Sequence, residues 1–504
     1  MAHRLTQLAG AAIVLAGLLL AAAGLRPEPA RMGTSAQGFV NADRPGIDNH
    51  NSPAVAFDPT RPSVVVVADR IDSPRFSCSL HLSTTAGVTW KQLALPLAPD
   101  APNCFWPDVA FADGRMYVLY SASGGRYNQP LGVWLQRFEG EAASGPPVKV
   151  AGAEAFHAHF AVSGRRVVVA YVQTPPANAD RPLGFEPGPN PLMVVRSEDG
   201  GLTFSPPVAV SEPSTRPAHP VVLIDGSGTA QHVFVGALDY GDDVDNYEAR
   251  HDGAGGPPPA GHWRIVAWRS SDGGSSFGPV TVVADQVPVP QRVVIDLSPG
   301  PSFALDPSGR IYAAWDGGTG DARDVFVARS EDRGATWSPP VTVGPRARSQ
   351  FLPAIDVAPD GRVDVLFYDR SRDPEDVLVR PVVGSSWDGG LTFSTAPVSE
   401  QAFDSRIGQG GPQAIPQLGN QLAVLSRPDG YLAFWADPSR PGNAATELQD
   451  LAVATVTPRP AGGRSWGLVI PGILVLLVAA AIGVRAVLRN RAEARGGPPS
   501  AARD

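Results

Sequence analysis

Residues able to do chemistry crowd into a few short stretches of this sequence. ADRIDSPR carries Asp69, Arg70, Asp72 and Arg75, and LDYGDDVDNYE carries Tyr240, Asp242, Asp243 and Asp245. WDGGTGDARD holds Asp316 and Arg323, FYDRSRDPED holds Tyr368, Asp369, Arg370 and Arg372, and WADPSR holds Asp437 and Arg440. Arginines can grip a carboxylate through paired N–H···O bonds. A tyrosine or aspartate beside them could act as nucleophile, acid or base. On that chemistry the candidates for catalysis are Asp69, Arg70, Tyr240, Tyr368 and Arg370. Those for ligand binding are Asp72, Arg75, Asp316, Arg323, Asp369, Arg372, Asp437 and Arg440.

Metal chemistry has weaker support. Asp242, Asp243 and Asp245 offer the hard oxygens that Ca2+ prefers, but not the D-x-D-x-D-G spacing with a distal glutamate. A solvated acidic loop is the plain alternative, and no cofactor is required. His157 and His159 in FHAHF alternate at strand spacing and are expected to point the same way. No further Cys/His cluster lies near in sequence, so they read as strand histidines rather than a zinc pair.

Elements that could position these groups follow from the whole chain. Its 504 residues carry a net charge of −8, and lysine occurs only at 91 and 149. An acidic chain of this kind excludes a nucleic-acid partner, which needs a basic face. The 54 glycines and 52 prolines fit many short strands and turns. Residues 1–24 have the form of a signal peptide, with His3 and Arg4, an apolar run and small residues at Ala21–Ala23; an uncleaved anchor is the rival. Residues 466–484 carry no charge and span about 28 Å as a helix, enough to cross a bilayer. Arg485, Arg489, Arg491 and Arg495 follow, so the tail 485–504 is expected in the cytoplasm and the rest outside a single-pass cell-membrane anchor. Cys78 and Cys104 both fall in the exported part, where an even pair favours one disulfide.

Between linkers at 25–36 and 458–465, residues 37–457 repeat one pattern: strand, D-P-x-G-R type turn, strand, variable loop, strand, a second turn and a short strand. That second turn reads RSEDGGLTF at 196–204, RSSDGGSSF at 269–277, RSEDRGATW at 329–337 and SWDGGLTF at 386–393. Units of this kind predict an all-β fold, a β-propeller of four-stranded blades, seven by count and six if one unit is an insertion. The last unit stops after three strands, so QGFVNA at 37–42 is expected to close the ring as its fourth.

The repeated turn resembles the Asp-box, or BNR repeat, of the sialidase superfamily. The matching residues are Ser197, Asp199, Gly201 and Phe204; Asp272, Gly274 and Phe277, preceded by Ser270 or Ser271; Ser330, Asp332, Gly334 and Trp337; and Ser386, Asp388, Gly390 and Phe393. Blade one keeps Ser83, Gly87 and Trp90 without the aspartate. The resemblance implies a structural clip placed away from any catalytic pocket. It also implies, for an active sialidase, three arginines for a substrate carboxylate, a tyrosine–glutamate nucleophile pair and an aspartate acid/base. Here the F-R-I-P motif that carries the first arginine is absent; blade one opens NHNSPAVAF. The preferred reading is a membrane-anchored module that binds a glycan or an envelope protein through its loop face. An exo-sialidase type of glycoside hydrolase is the alternative.

Overall fold

The structure is a computed structural model. It describes residues 31–41, 48–73, 75–124, 129–173, 190–212, 216–226, 231–241, 262–288, 300–319, 322–344, 349–375, 377–399, 401–405, 409–410, 415–416, 418–440 and 448–459, and helical residues between 473 and 491. The chain divides into two units: Met32–Pro458, and Met1–Arg31 with Arg459–Asp504.

The larger unit is a seven-bladed propeller. Each blade sheet contains a path of four strands, running in chain order from the innermost to the outermost in six of the seven, and a separate two-stranded sheet pairs Gln409–Gly410 with Ile415–Pro416. Blade one consists of His50–Asp58, Arg61–Ile71, Ser77–Ser83 and Lys91–Gln92. The first strands of the others are Asn103–Ala112, Ala155–Ser163, Pro217–Asp225, Ser302–Leu305, Gln350–Val357 and Ala423–Arg427. Blade seven takes its outermost strand from the other end of the chain, Arg31–Phe39, paired with Asp450–Arg459. The closing strand therefore overlaps the expected 37–42 at residues 37–39 and begins further upstream, at Arg31. It ends where Asn41 leaves the ladder: the Val40 N–H donates to the Leu451 carbonyl at 2.9 Å, and the Asn41 side chain then accepts from the Leu451 N–H at 2.9 Å.

Second strands are buried on both faces, which explains their unbroken apolar runs. In RPSVVVVADRI, Val64, Val66 and Ala68 pack toward blade two, whereas Val65 and Val67 pack toward blade seven. Val167, Val169 and Tyr171 face blade two in the same way, and Val168, Ala170 and Val172 face blade four. Period-two alternation thus divides each strand between two cores, and the hydrophobic core is distributed as wedges between neighbouring sheets.

The repeated turns share one hydrogen-bond pattern. Asp199 accepts from the Ser197 hydroxyl at 2.7 Å, from the N–H groups of Leu202 and Thr203, and from the Thr203 hydroxyl. Asp272, Asp332 and Asp388 repeat the bond from the serine two residues earlier, at 2.7 Å each, and Ser270 rather than Ser271 is the one that pairs with Asp272. Blade one does without the carboxylate: the Thr85 hydroxyl accepts from the Thr89 N–H at 2.9 Å, while Ser83 accepts from Gly87 at the same distance. Glycine is required at 201, where φ is +78° and a Cβ would lie 2.4 Å from Leu135. The aromatic that ends each turn fills the crevice toward the preceding blade, as Phe204, Phe277, Trp337, Phe393 and Trp90 all do.

Cys78 and Cys104 form a disulfide with Cα atoms 5.4 Å apart, linking blades one and two. The expected leader, 1–24, lies outside the described residues. In the expected span 466–484, residues 473–478, 480–482 and 484 are described and helical. Among the described residues no helix is long and apolar enough to cross a membrane.

Candidate functional site

The site is built where the innermost strands begin. Among the described residues, that strand carries one residue in left-handed backbone in five blades: Ser52 (φ 52°), Trp106 (57°), His157 (46°), His219 (52°) and Leu352 (55°). Each falls in a register break against the second strand, between Asn51 and Ala54, Phe105 and Asp108, Phe156 and His159, Ala218 and Val221, and Phe351 and Ala354. Four of the five precede a proline, at 53, 107, 220 and 353. Proline has no N–H to give a ladder, so a bulge is where an inner strand can carry one. A tryptophan at positive φ is a costly arrangement for so bulky a residue, and such strain concentrates at functional positions.

Three of these side chains meet. The Trp106 and His157 ring centroids are 4.5 Å apart, His157 and His219 stack at 4.5 Å, and Trp106 and His219 are 5.6 Å apart. The group borders a channel of about 210 Å³ on the propeller axis, with walls from every blade: Pro53, Asp108, His159, His219, Phe303, Leu352 and Asn420. Burial holds both bulge imidazoles neutral. The His219 ring is pushed down to about 4, and His157 lies well below its ordinary 6.5 through burial first and then the nearby His219 and Arg70. Asp108 moves the other way: burial raises its carboxyl, against the pull of His159, whose Nε2 is 3.6 Å away.

A polar belt surrounds this ring. Arg70 faces Asp72 with Nη2 3.0 Å from Oδ2 and Nε 2.6 Å from Oδ1, and its Nη1 donates to the Asn420 side-chain oxygen at 2.5 Å. Its guanidinium lies 4.9 Å from the Phe105 ring centre. Asn51 donates to Asp72 at 2.8 Å, and Ser52 donates to Asn51 at 2.8 Å. Asp69 contacts His50 Nδ1 at 2.6 Å and accepts from the Ser79 hydroxyl. Where blades seven and one meet, Gly419 has φ +86° and a Cβ there would lie 2.9 Å from the Ser52 nitrogen, so only glycine fits.

Residues expected at the site divide sharply. Asp69, Arg70 and Asp72 are buried in the belt. Arg370 is buried too, 5.0 Å from the Phe351 ring centre, and donates to the Ser405 hydroxyl at 2.8 Å. Tyr368 belongs to the core between blades six and seven; its hydroxyl donates to the Ala436 carbonyl at 2.9 Å, and burial raises it well above its ordinary range. Tyr240 packs edge-on to Trp263. Asp316 is paired with Arg323, and its carboxyl is raised by burial. Asp437 accepts from Trp435 Nε1 at 3.0 Å and from the Ser439 N–H, whereas Arg440 reaches Asp450 at 3.4 Å. Asp369 and Arg372 line a separate cavity of about 350 Å³ on blade six, and Arg75 is exposed. The calcium candidates Asp242, Asp243 and Asp245 lie outside the described residues, and among the described residues no group of three or more His, Cys, Asp or Glu could hold a metal ion.

The expectation for FHAHF is corrected. A bulge separates His157 from His159 and breaks the alternation: His157 stacks on Trp106 and His219, while His159 Nδ1 accepts from the Val222 N–H of the next blade at 3.1 Å. Trp106, His219, Asp108 and Asn420 were not singled out by their types. The signal that could have found three of them is the recurrent X-Pro at the blade entrance, in NSPAVAF, FWPDVAF, AHPVVLI and FLPAIDV. Asn420 has no such mark.

No family model matches the sequence, and no curated protein matches it either. Among solved structures, the chain is similar to a protein of unknown function from Dyadobacter fermentans DSM 18053, with 14% identity over 85% of this chain and 99% of that one and a TM-score of 0.46. It is similar to an ulvan lyase of polysaccharide lyase family PL25, with 12% identity over 84% and 96% and a TM-score of 0.49. It is also similar to the sialidase of Trypanosoma rangeli, with 11% identity over 89% of this chain and 61% of that one and a TM-score of 0.41. At such identities the likeness is one of fold.

Proposed function

We propose that the channel-mouth face is a recognition platform that binds a carbohydrate or protein ligand without hydrolysing it, on a sialidase-like propeller of Asp-box type. The observation that carries this reading is the state of its arginines. Arg70 is engaged by Asp72 and Asn420, and Arg370 is buried against Phe351 with a bond to Ser405. A hydrolase that grips a carboxylate needs guanidinium groups offered to the ligand, and Tyr368 would have to leave the core to attack anything. Side chains paired with one another on a β scaffold suit recognition.

The chain presents this face outside the membrane, anchored by 466–484. Supporting that placement are the uncharged run itself and the exposed Leu474, Leu477, Val478, Ile482 and Leu488 on the helical residues. A disulfide between blades one and two fits an oxidising compartment.

The test is a glycan array and a panel of envelope proteins probed with the full-length chain, run beside a fluorogenic sialoside. Binding with no turnover is the expected result. Turnover by the intact chain would replace the platform with an enzyme.

A further inference from the structure

We propose that the propeller carries a second binding site, a cleft between blades four and five that takes a small monocarboxylate with an apolar body. It is separate from the channel-mouth face. The cleft lies at the far end of the innermost strand Pro217–Asp225, where Asp225 lines it. His219, at the channel, stands six strand steps away, about 20 Å.

Sequence departures at this junction create the cleft. In blades two, three and five an arginine at the start of the second strand lies over the clip glycine of the next blade. A Cβ would stand 3.8 Å from Arg115 Nη1 at Gly200, 2.2 Å from Arg166 Nη1 at Gly273 and 3.4 Å from Arg310 Nη1 at Gly389. Each arginine also pairs with a glutamate of its own blade: Arg115 with Glu139, Arg166 with Glu198 and Arg310 with Glu331. Blade four has His232 in place of that arginine, and Ser271 in place of Glu198 and Glu331. Opposite them blade five has Arg333, at φ +57°, where the other clips have glycine. The plug is gone, and a cavity of about 530 Å³ takes its place, a size usual for small-molecule sites.

Two guanidinium groups there keep hydrogens to give. Arg329, the counterpart of Arg269 in blade five, is held by Glu331 at 3.2 Å and donates to the Gly389 carbonyl at 2.8 Å. Arg269 is exposed, lines the cavity and has no side-chain hydrogen bond or ion pair among the described residues. Arg333, with its side chain 47% exposed, holds Asp225 through Nε at 2.8 Å, which leaves its Nη groups for a ligand. The lining carboxylates are already engaged, Asp225 by Arg333 and Asp332 by the donors of its own clip. Arg269 is thus the charge without a counter-ion, and its forked N–H groups suit one carboxylate. A phosphate dianion would bring a second charge against Asp225 and Asp332. Half-buried Leu223, Phe277 and Leu305 supply an apolar wall for the body of the ligand.

The experiment titrates the full-length chain with octanoate, 3-phenylpropionate, the amide of the latter and inorganic phosphate, by saturation-transfer NMR and calorimetry. At least one carboxylate is expected to bind, about tenfold more tightly than the amide or phosphate, the scale of one charge-assisted hydrogen bond. Arg269→Gln should weaken it by about the same factor. His232→Arg with Ser271→Glu rebuilds the plug of the neighbouring junctions and should abolish binding. An unchanged melting transition shows that both variants fold.

Failure of both carboxylates, an amide or phosphate that binds as tightly, or full affinity in either variant overturns the assignment. Capture of a glycan or protein by the loop face is read separately on the arrays, so the recognition reading stands or falls independently of this cleft.

Discussion

Arg70 donates to Asn420 at 2.5 Å across 350 residues of sequence, so one buried guanidinium ties the first blade to the last at the channel mouth. The same group neutralises Asp72, and both side chains are almost wholly removed from solvent.

Arg70→Met is therefore expected to cost about 3–5 kcal/mol, because it leaves Asp72 buried without its partner. Urea unfolding of the single variant and of Arg70→Met with Asp72→Asn gives the measurement. The second change should recover part of the loss, and a single-variant cost below about 1 kcal/mol would show that the pair does not hold the ring.

The Cys78–Cys104 bridge closes a loop with a sequence separation of 26. Loop-closure entropy for that length corresponds to about 3.5 kcal/mol. Replacing both cysteines with serine should lower the unfolding free energy by that order and make the midpoint insensitive to dithiothreitol.

Stability should respond to pH through two opposed groups. His219 has its imidazole depressed from 6.5 to about 4 by burial, so its unfolded form takes a proton first. Its contribution is complete above pH 6.5 and is lost as pH falls toward 4, up to about 3 kcal/mol in all. Asp356 is raised by burial from 3.8 to about 7, so its contribution is complete below pH 3.8 and is lost as pH rises through 7. Unfolding curves of His219→Gln should be flatter on the acid side, and those of Asp356→Asn flatter on the neutral side. The turn aspartates act below both: Asp332 is depressed to about 2 despite some burial, chiefly by its bonds from Thr336 and Ser330, so its support is lost only between pH 3.8 and 2.

Tyr368→Phe removes a hydroxyl that bonds the Ala436 carbonyl in the core. The expected effect is about 1 kcal/mol of stability, with ligand capture on the arrays unchanged. Loss of capture with stability intact would place this hydroxyl in the binding chemistry.

Thr85→Asp restores to blade one the carboxylate that Asp199, Asp272, Asp332 and Asp388 supply elsewhere. The Thr89 N–H and hydroxyl are already in position to donate to it. A gain of about 0.5–1 kcal/mol is expected, measured by thermal and urea unfolding together.

The propeller was legible because its determinants are local and repeated. Ser197, Asp199, Gly201 and Phe204 lie within eight residues, and their bonds close inside the turn, so the string alone announces the structure. The apolar run VVVV at 64–67 likewise reports burial on both faces of a strand. The disulfide was expected from an even cysteine pair in a segment read as exported, with two buried thiols as the alternative, and the 5.4 Å between the Cα atoms decides for the bridge.

The site was legible only in part. Asp69, Arg70 and Asp72 were marked by charge and do lie in the belt around the channel, whereas the equally promising Tyr368 went into the core. Side-chain type says what a residue could do, but the alternation of a doubly buried strand decides which sheet it faces, and one bulge reverses that choice. His157 and His159 show it: two residues apart, they serve different neighbours because a left-handed residue interrupts the ladder. What this sequence determined by itself was the repeated sheet and the clip that ends it, both held by bonds of short range. What only the tertiary structure decided was the channel mouth, because Trp106, His157, His219 and Asn420 come from four blades and are neighbours solely through closure of the ring.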